Sequence, residues 1–413
     1  MTLGSIAVET IIPVARRLAS RATSPTFVRR LAEPFFWLAC RRGREGAVRL
    51  EQAKSVLVVR LDDIGDLVLT SPLLRELRHS VPQAWITLVV KPVCYNLVEH
   101  CPYVNEVLTF DPDTPRPPSQ LTRHLRALGL CGNRLWRRKF DLAICPRWGI
   151  DRYHAISLMY LSGSPSRAAY AQRRFSEGAS CGSGLDGLVT HQILGEDRKH
   201  EVEHNLDLVR FLGGKVGSDN LELWLDERDE DFARTFLSRA GIEHNDMLIA
   251  LAPGAGCFWK CWPIERFVLL GARLLERYNC RLLAVGGPGE EEYGLKLEKN
   301  LGAAVVNAVG RATLRGTAAL LRHSKLFVGN DSGPMHLAAA GGVPVLEFCC
   351  HAESGAWSAN SAERFRPWGV DHIVLRPKTG RLPCMRECTA GCAHCILDIT
   401  VEQAEAAARG LLS

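Results

Sequence analysis

The 413-residue chain has no run of about eighteen uncharged apolar residues, so no segment is built to span a bilayer. Its start lacks a charged n-region, a clean apolar stretch and a small-residue cleavage site, which argues against a secretory signal. The glycine turn Pro253-Gly-Ala-Gly256 fits neither the Walker pattern nor G-x-G-x-x-G, so it lacks a generic nucleotide fingerprint. No internal repeat is visible. A charge imbalance is also missing from most of the chain. The formal net charge is +6, from 51 Lys plus Arg against 45 Asp plus Glu. Residues 1–50 hold nine Arg, no Lys and three acids (Glu9, Glu33, Glu45), which accounts for the whole excess. Residues 51–413 carry 42 bases and 42 acids. A neutral body argues against a basic face for duplex binding, and no nucleic-acid partner is expected.

The length suggests two or three domains, and 46% hydrophobic with 23% charged residues excludes wholesale disorder. Fifteen cysteines, an odd number in a long, core-rich chain, read as free thiols in a reducing cytosol rather than as a disulfide framework. In the leader 1–50, Phe27, Leu31, Phe35 and Leu38 recur at helical spacing beside Arg29 and Arg30, with Arg41, Arg42 and Arg44 just after. An amphipathic helix with aromatic anchors and Arg flanks has the composition of an interfacial membrane segment, bent here by Pro34. The other reading is a helix docked on the body with a solvated Arg face.

Beyond the leader, strand and helix patterns alternate. Ser55–Arg60 is a branched apolar run and reads as a buried strand, followed by helical spacing over 67–78. Further strands are expected at 86–90, 104–110 and 141–145. The Pro-rich stretch 111–119 is an exposed connection and the Gly/Ser-rich run 177–187 a mobile loop. A second series gives strands at 247–252, 281–285, 326–329 and 343–348 and helices at 264–278, 290–301 and 335–340. Two such series imply two doubly wound parallel-sheet domains, 51–240 and 241–413, with the acidic segment 226–246 as the join.

Three motifs fall where such sheets bind ligands, between a strand's carboxyl end and the next helix. In Arg60-Leu-Asp-Asp-Ile-Gly-Asp66, three acids in five residues exceed what capping needs, although Asp62 and Asp63 are also suited to cap the helix. In Pro253-Gly-Ala-Gly256, followed by Lys260, a glycine turn lets backbone N–H groups approach an anion while the Lys adds a mobile charge. The alternative is a plain turn with a surface Lys. In Gly329-Asn-Asp-Ser-Gly-Pro-Met-His336, Asp331 or Ser332 can cap a helix opened by Gly333 and Pro334, leaving N–H donors for a diphosphate. His336 lies one turn in, either as part of that site or as a structural histidine. Glu290, just past Gly286-Gly-Pro-Gly289, is placed either for ribose hydroxyls or as a helix N-terminal acid.

These segments carry a resemblance. VLVVRLDDIGDLVLTSPLLRELR, APGAGCFWKCWPIERF and FVGNDSGPMHLAAAGGVPV are similar to family 9 glycosyltransferases, the ADP-heptose:lipopolysaccharide heptosyltransferases. HEVEHNLDLVRFLGG at 200–214 and CILDITVEQ at 395–403 also resemble family segments, so the likeness runs from about 55 to 413 and leaves out the leader. It implies a GT-B fold, with two Rossmann-like domains facing a cleft. The first domain would bind acceptor and the second nucleotide sugar. It further implies Asp66 as catalytic base, Lys260 on the donor phosphates, Asp331, Ser332, Gly333 and His336 as donor motif, and Glu290 near the ribose. Arg60 and Asp63 are candidate acceptor contacts. The implied reaction moves heptose from ADP-heptose, with inversion, onto a lipid-anchored lipopolysaccharide inner-core acceptor at the cytoplasmic face of an anionic membrane. Alternatives are a protein or other glycan acceptor, another nucleotide sugar, or a non-catalytic glycan-binding relative. Two departures stand out. Phe348-Cys349-Cys350-His351 replaces the family's usual Phe-Gly-Pro-Thr, and Cys384, Cys388, Cys392 and Cys395 are spaced C-x3-C-x3-C-x2-C. Four thiolates so close can hold a structural zinc or iron, or stand as free thiols. The transfer itself requires no cofactor on this reading, and dependence on a divalent cation is left open.

Overall fold

A computed structural model describes residues 50–114, 120–171, 183–195, 198–243, 245–354, 360–382, 384 and 391–413. The leader helix expected at 27–38 lies outside the described residues, as do 115–119 of the Pro-rich stretch and 177–182 of the Gly/Ser run.

In the first half, β1 (Ser55–Arg60), β2 (Trp85–Val90), β3 (Glu106–Thr109), β4 (Leu142–Cys145), β5 (Ser166–Tyr170) and β6 (His191–Ile193) pair in the order β3-β2-β1-β4-β5-β6. In the second, β7 (Met247–Ala252), β8 (Cys280–Ala284), β9 (Val305–Asn307), β10 (Leu326–Asn330), β11 (Val345–Phe348) and β12 (His372–Leu375) pair as β12-β11-β10-β7-β8-β9. Every pairing is parallel. Numbered from its own first strand, each sheet has the same doubly wound order. In each, the order reverses between the first and fourth strands, where a crevice opens. The expectation of two doubly wound parallel sheets is met. Because such sheets are covered on both faces, a central strand is apolar through its middle, as in the VLVV of β1 (SVLVVR), all six residues of which are buried.

The covering helices are α1 (Ile64–Val68), α2 (Ser71–Ser80), α3 (Tyr95–Val98), α4 (Gln120–Leu130), α5 (Ala155–Leu161), α6 (Ser183–Asp186) and α7 (Glu201–Phe211) in the first half. The second half has α8 (Glu227–Arg239), α9 (Ile264–Arg277), α10 (Glu291–Leu301), α11 (Leu314–Leu321), α12 (Gly333–Ala340), α13 (Ala362–Phe365) and α14 (Val401–Leu412). The helix expected over 67–78 is two helices, α1 and α2. Pro72 opens the second, where a missing N–H is harmless, and the chain re-aims at Leu69 and Thr70. The segment 226–246, expected as a join, is mostly α8. Its acids are a capping box at Asp226 and Asp229 and ion pairs from Asp229 to Arg315 and from Glu230 to Arg322. Those arginines belong to α11 and to its C-cap, so α8 packs with the second sheet's helices and the crossing falls earlier, in the extended residues after α7.

The halves are seated on each other by two glycines. Helices α1 and α12, which follow β1 and β10, meet face to face. A Cβ on Gly65 would lie 2.4 Å from His336 Cδ2, and one on Gly333 would lie 2.9 Å from Ile64 Cγ2. Only bare backbone permits that approach. Gly65→Ala is therefore expected to cost about 1–3 kcal/mol by overpacking. Gly129→Ala in α4, where an added Cβ meets nothing within 4 Å, is expected to be neutral or stabilising. Denaturant unfolding of both variants checks the contrast; equal effects would show that the α1–α12 contact is not tight.

Candidate active site

A cleft of about 910 Å³ runs between the two crevices and is lined from both halves. The first half contributes Asp63, Ile64, Gly65, Asp66 and Asn96; the second contributes Gly254, Lys260, the turn 286–290, Thr313, Asp331, Ser332, Gly333 and His336. The three sequence motifs, more than 260 residues apart at their extremes, thus share one cavity.

On the first side, β1 ends in Arg60, a residue only 1% exposed. Its Nη1 donates to the Pro146 carbonyl at 2.6 Å, bridging the end of β1 to the loop after β4. Nη2 donates to Asp66 Oδ1 at 2.9 Å and to Glu201 Oε1 at 2.6 Å, and Nε lies 3.1 Å from Asp62 Oδ2. Arg60 is one of the expected acceptor contacts, and the structure places it behind the cleft wall. It does not line the cleft; every donor edge is turned inward, and what it holds is Asp66. Asp66 does line the cleft, in the first turn of α1. Burial raises the affinity of its carboxyl for a proton and Glu201 adds to this, while Arg60 and Arg364 work the other way. The net shift is upward from the ordinary aspartate range.

Asp63 occupies the N-cap position of α1, yet its carboxylate makes no cap hydrogen bond. It accepts instead from Lys91 Nζ at 2.8 Å and from the Tyr153 hydroxyl at 3.2 Å, and it remains 70% exposed at the cleft edge. Asp62 pairs with Arg147 and Arg60. Capping is therefore not what these acids do.

On the second side, Asn330 spans the other crevice. Its Nδ2 donates to the Pro253 carbonyl at 2.7 Å and its Oδ1 accepts from the Trp262 N–H at 2.9 Å, fixing the glycine turn after β7. Lys260 donates to Asp331 Oδ2 at 2.7 Å. The Asp331 carboxylate makes Lys260 hold its proton far more tightly than usual. In return, although burial opposes ionisation, Lys260 lowers the proton affinity of Asp331. Ser332 is the N-cap of α12, but no side chain caps that helix, and Pro334 stands in its first turn. The first N–H groups of α12 thus face the cleft without a side-chain acceptor, beside an ammonium with two further donors. His336 is 3% exposed, and burial pushes its imidazole down to about 4, so it is neutral at pH 7. Its Nδ1 has no hydrogen-bond partner among the described residues.

Glu290 reaches back across two glycine turns. It accepts from the Gly287 N–H at 2.7 Å, and a Cβ on Gly254 would lie 2.0 Å from its Oε1. Burial raises its proton affinity, partly offset by the Gly287 N–H. A carboxylate pinned at the cleft wall with one oxygen free is suited to accept from a diol.

The Cys349-Cys350-His351 departure lies behind the cleft, with all three residues buried. The cleft is reached from the following stretch by Asn360 and Phe365. At the chain's far end, Cys384 and Cys395 come together with His394, their ligand atoms all within 4.8 Å. Cys392 is exposed and outside that group, and Cys388 lies outside the described residues. Among the described residues, two of the four expected cysteines therefore group with His394.

Sequence reasoning passed over Glu201, Arg364 and Asn330. Asn330 stands inside a motif already singled out, and Glu201 inside the helix segment at 200–214, so both were in view without a role. Arg364 had only the polar run before Arg366 to flag it.

Two Rossmann-like domains facing a shared cleft make up the GT-B architecture. The model of glycosyltransferase family 9 (heptosyltransferase) matches residues 180–394, just over half of the chain, and the chain belongs to that family. A lipopolysaccharide heptosyltransferase 3 of Escherichia coli is 22% identical over 322 residues, covering 77% of this chain and 89% of its own length. A family 9 glycosyltransferase structure from Veillonella parvula superimposes with a TM-score of 0.70 at 23% identity, covering 87% of this chain and 97% of that one. The Escherichia coli heptosyltransferase WaaC with ADP gives 0.62 at 17% identity, covering 86% and 99%.

Proposed function

We propose that this glycosyltransferase moves heptose from ADP-heptose, with inversion, onto a hydroxyl of a lipopolysaccharide inner core. The observation that carries the reading is the placement of Asp66 in one cleft with Lys260 and the uncapped start of α12. Inverting transfer needs a carboxylate to take the acceptor proton while cations and N–H groups stabilise the departing diphosphate. Asp66 takes the first role. Lys260, Ser332 and Gly333 take the second, Asp331 aims Lys260, Glu290 accepts from the ribose, and neutral His336 offers a hydrogen bond without adding charge. Asp63, with Lys91 and Tyr153, forms the acceptor edge. The relatives named lipopolysaccharide heptosyltransferase and the ADP in the WaaC structure support this choice of substrates. A protein or different glycan acceptor, or another sugar on the donor, would keep these residue roles, since fold does not fix substrate.

Asp66→Asn is expected to lower transfer by at least about 100-fold while ADP binding and melting temperature hold. Lys260→Ala is expected to weaken donor binding instead. In the wild type, the raised proton affinity of Asp66 keeps it protonated to higher pH, so the acid limb of kcat/KM should lie above the ordinary aspartate range. Wild-type transfer by Asp66→Asn would refute the base, and unchanged donor affinity in Lys260→Ala would refute the phosphate contact. Product formation with ADP-heptose, with other nucleotide sugars and with a heptose-deficient core decides among the substrates.

Cys384, His394 and Cys395 form a donor set suited to a structural zinc or iron, with the Arg381 N–H 3.3 Å from Cys395 Sγ as an outer-shell partner. We expect elemental analysis to find about one equivalent of metal in the wild type, lost in Cys384→Ser and His394→Ala. A metal-free, fully folded wild type would leave these as thiols.

The protein acts at the cytoplasmic face of the membrane in this reading, held by its leader. At roughly 1 kcal/mol per basic residue near an anionic leaflet, the leader's charge contributes several kcal/mol. Deleting residues 1–50 should abolish binding to anionic vesicles and spare transfer to a delipidated acceptor; vesicle binding that survives the deletion would show another attachment.

A further inference from the structure

Glu201 opens α7 with its side chain 0% exposed, and it lines no part of the cleft. A carboxylate so placed requires cations on its oxygens. Oε1 accepts from Arg60 Nη2 at 2.6 Å and Oε2 from Arg364 Nε at 2.7 Å. The two arginines come from opposite halves of the chain. Arg60 ends β1, and the same Nη2 also donates to Asp66 Oδ1 at 2.9 Å. Arg364 lies on α13. It reaches into the first half, where Nη2 donates to the Trp148 carbonyl at 2.7 Å and the guanidinium sits 4.9 Å from the Trp148 ring. Next to it, Trp368 stacks on His200 at 4.3 Å, and His200 Nε2 lies 2.9 Å from the Arg366 carbonyl. An unbroken line of polar contacts therefore runs from the second domain through Arg364, Glu201 and Arg60 to Asp66.

We propose that Glu201 is a positioning residue that ties the Asp66 carboxylate to the seating of the second domain, with Arg364 as the reporter of that seating. The proposal rests on the reading of Asp66 as base. While Arg364 satisfies one oxygen of Glu201, Arg60 is shared between Glu201 and Asp66 and holds the latter toward the cleft. When the halves part and Arg364 withdraws, Glu201 is left with Arg60 as its counter-ion, and Arg60 is drawn away from Asp66. The base is then set only when the donor domain is in place.

The groups facing Asp66 fix the sign of the test. Arg60 from β1 and Arg364 from α13 favour its carboxylate; Glu201 from α7 and Asp63 from its own helix oppose it, as does burial. Cys94 is pushed up to about 12 by burial and His336, against Gly65, down to about 4, so both are neutral at pH 7. Glu201→Gln removes a negative charge and leaves Arg60 more fully to Asp66, so Asp66 gives up its proton at lower pH. Arg364→Gln removes a positive charge, so Asp66 holds its proton to higher pH.

The experiment measures kcat and KM across pH for the full-length wild type, Glu201→Gln, Arg364→Gln and Arg364→Lys. In parallel, mass spectrometry follows carbodiimide labelling of Asp66, which reacts only while protonated, as a readout independent of turnover. Expected are limbs and labelling midpoints displaced in opposite directions for Glu201→Gln and Arg364→Gln. Both variants should lose roughly 10- to 100-fold in kcat with donor KM little changed, and Arg364→Lys should recover part of the loss. Displacements of the same sign, or none, overturn the proposal. If Glu201→Gln does not fold, the direction for Arg364→Gln still decides. Wild-type transfer by Asp66→Asn would instead remove the base assignment, whatever the labelling shows for the network.

Discussion

The constraint on which the rest of the structure depends is the burial of the Arg60 guanidinium. Taking such a charge out of water costs several kcal/mol, and it persists only where acids and carbonyls surround it. That requirement draws Asp62 and Asp66 from the turn after β1, Glu201 from the start of α7 and the Pro146 carbonyl from the end of β4 to one point. The same point is the switch in strand order of the first sheet, so satisfying one cation also props open the crevice and aims an acid into it. Glu201 acquires its own need in turn. Burial works against its charge, but Arg364 and Arg60 outweigh burial and hold its carboxyl down at about 2. The second half of the chain is thereby bound to the first through charge as well as through the glycine contact of α1 and α12.

The second sheet meets the same geometric problem without a buried ion. Asn330 sits at the end of β10 and bridges to the loop after β7 through a neutral amide with three contacts, to Pro253, Gly254 and Trp262. The difference follows from what each crevice presents. A turn that carries three acids needs a cation behind it, whereas a turn of glycines that exposes N–H groups to an anion does not. Keeping charge out of the second scaffold leaves its electrostatics to Lys260, Asp331 and the end of α12.

Much of this was legible in the sequence because the motifs combine unusual backbone needs with clustered function. Gly65, Gly254 and Gly333 stand where close approach is required, and Asp66, Lys260 and Asp331 stand beside them. What escaped was of two kinds. Strands β5, β6, β9 and β12 are short or outer strands; β5 carries Ser166 and Arg167, the latter buried on carbonyls of Ser164 and Leu188. Such polar letters hide a strand from a hydrophobic pattern. Buried ion pairs are hidden for a related reason. Glu201 and Arg364, 163 residues apart, look like surface charge, and only the fold reveals that each is the other's counter-ion. The acidic run that reads as a linker is α8 for the same cause, since its carboxylates cap the helix and face Arg315 and Arg322.

The pairing of Lys260 with Asp331 bears on how an anion is received. An ammonium already bound to a carboxylate presents little net charge, so the pair alone is a weak attractor. Its value is geometric: a long flexible side chain is held in one conformer, and its ordering entropy is spent before a ligand arrives. The attraction then falls to the uncapped N–H groups of α12, which act only on a group in contact with them. A phosphate seated there accepts from Lys260 through its remaining donors without displacing Asp331. On the proposed donor chemistry, a lysine drawn toward a departing diphosphate leaves Asp331 facing its buried neighbours. Among them is Glu347, whose proton affinity burial and Asp331 raise well above the ordinary glutamate range. A carboxyl there that favours its proton limits the negative charge gathered beside Asp331.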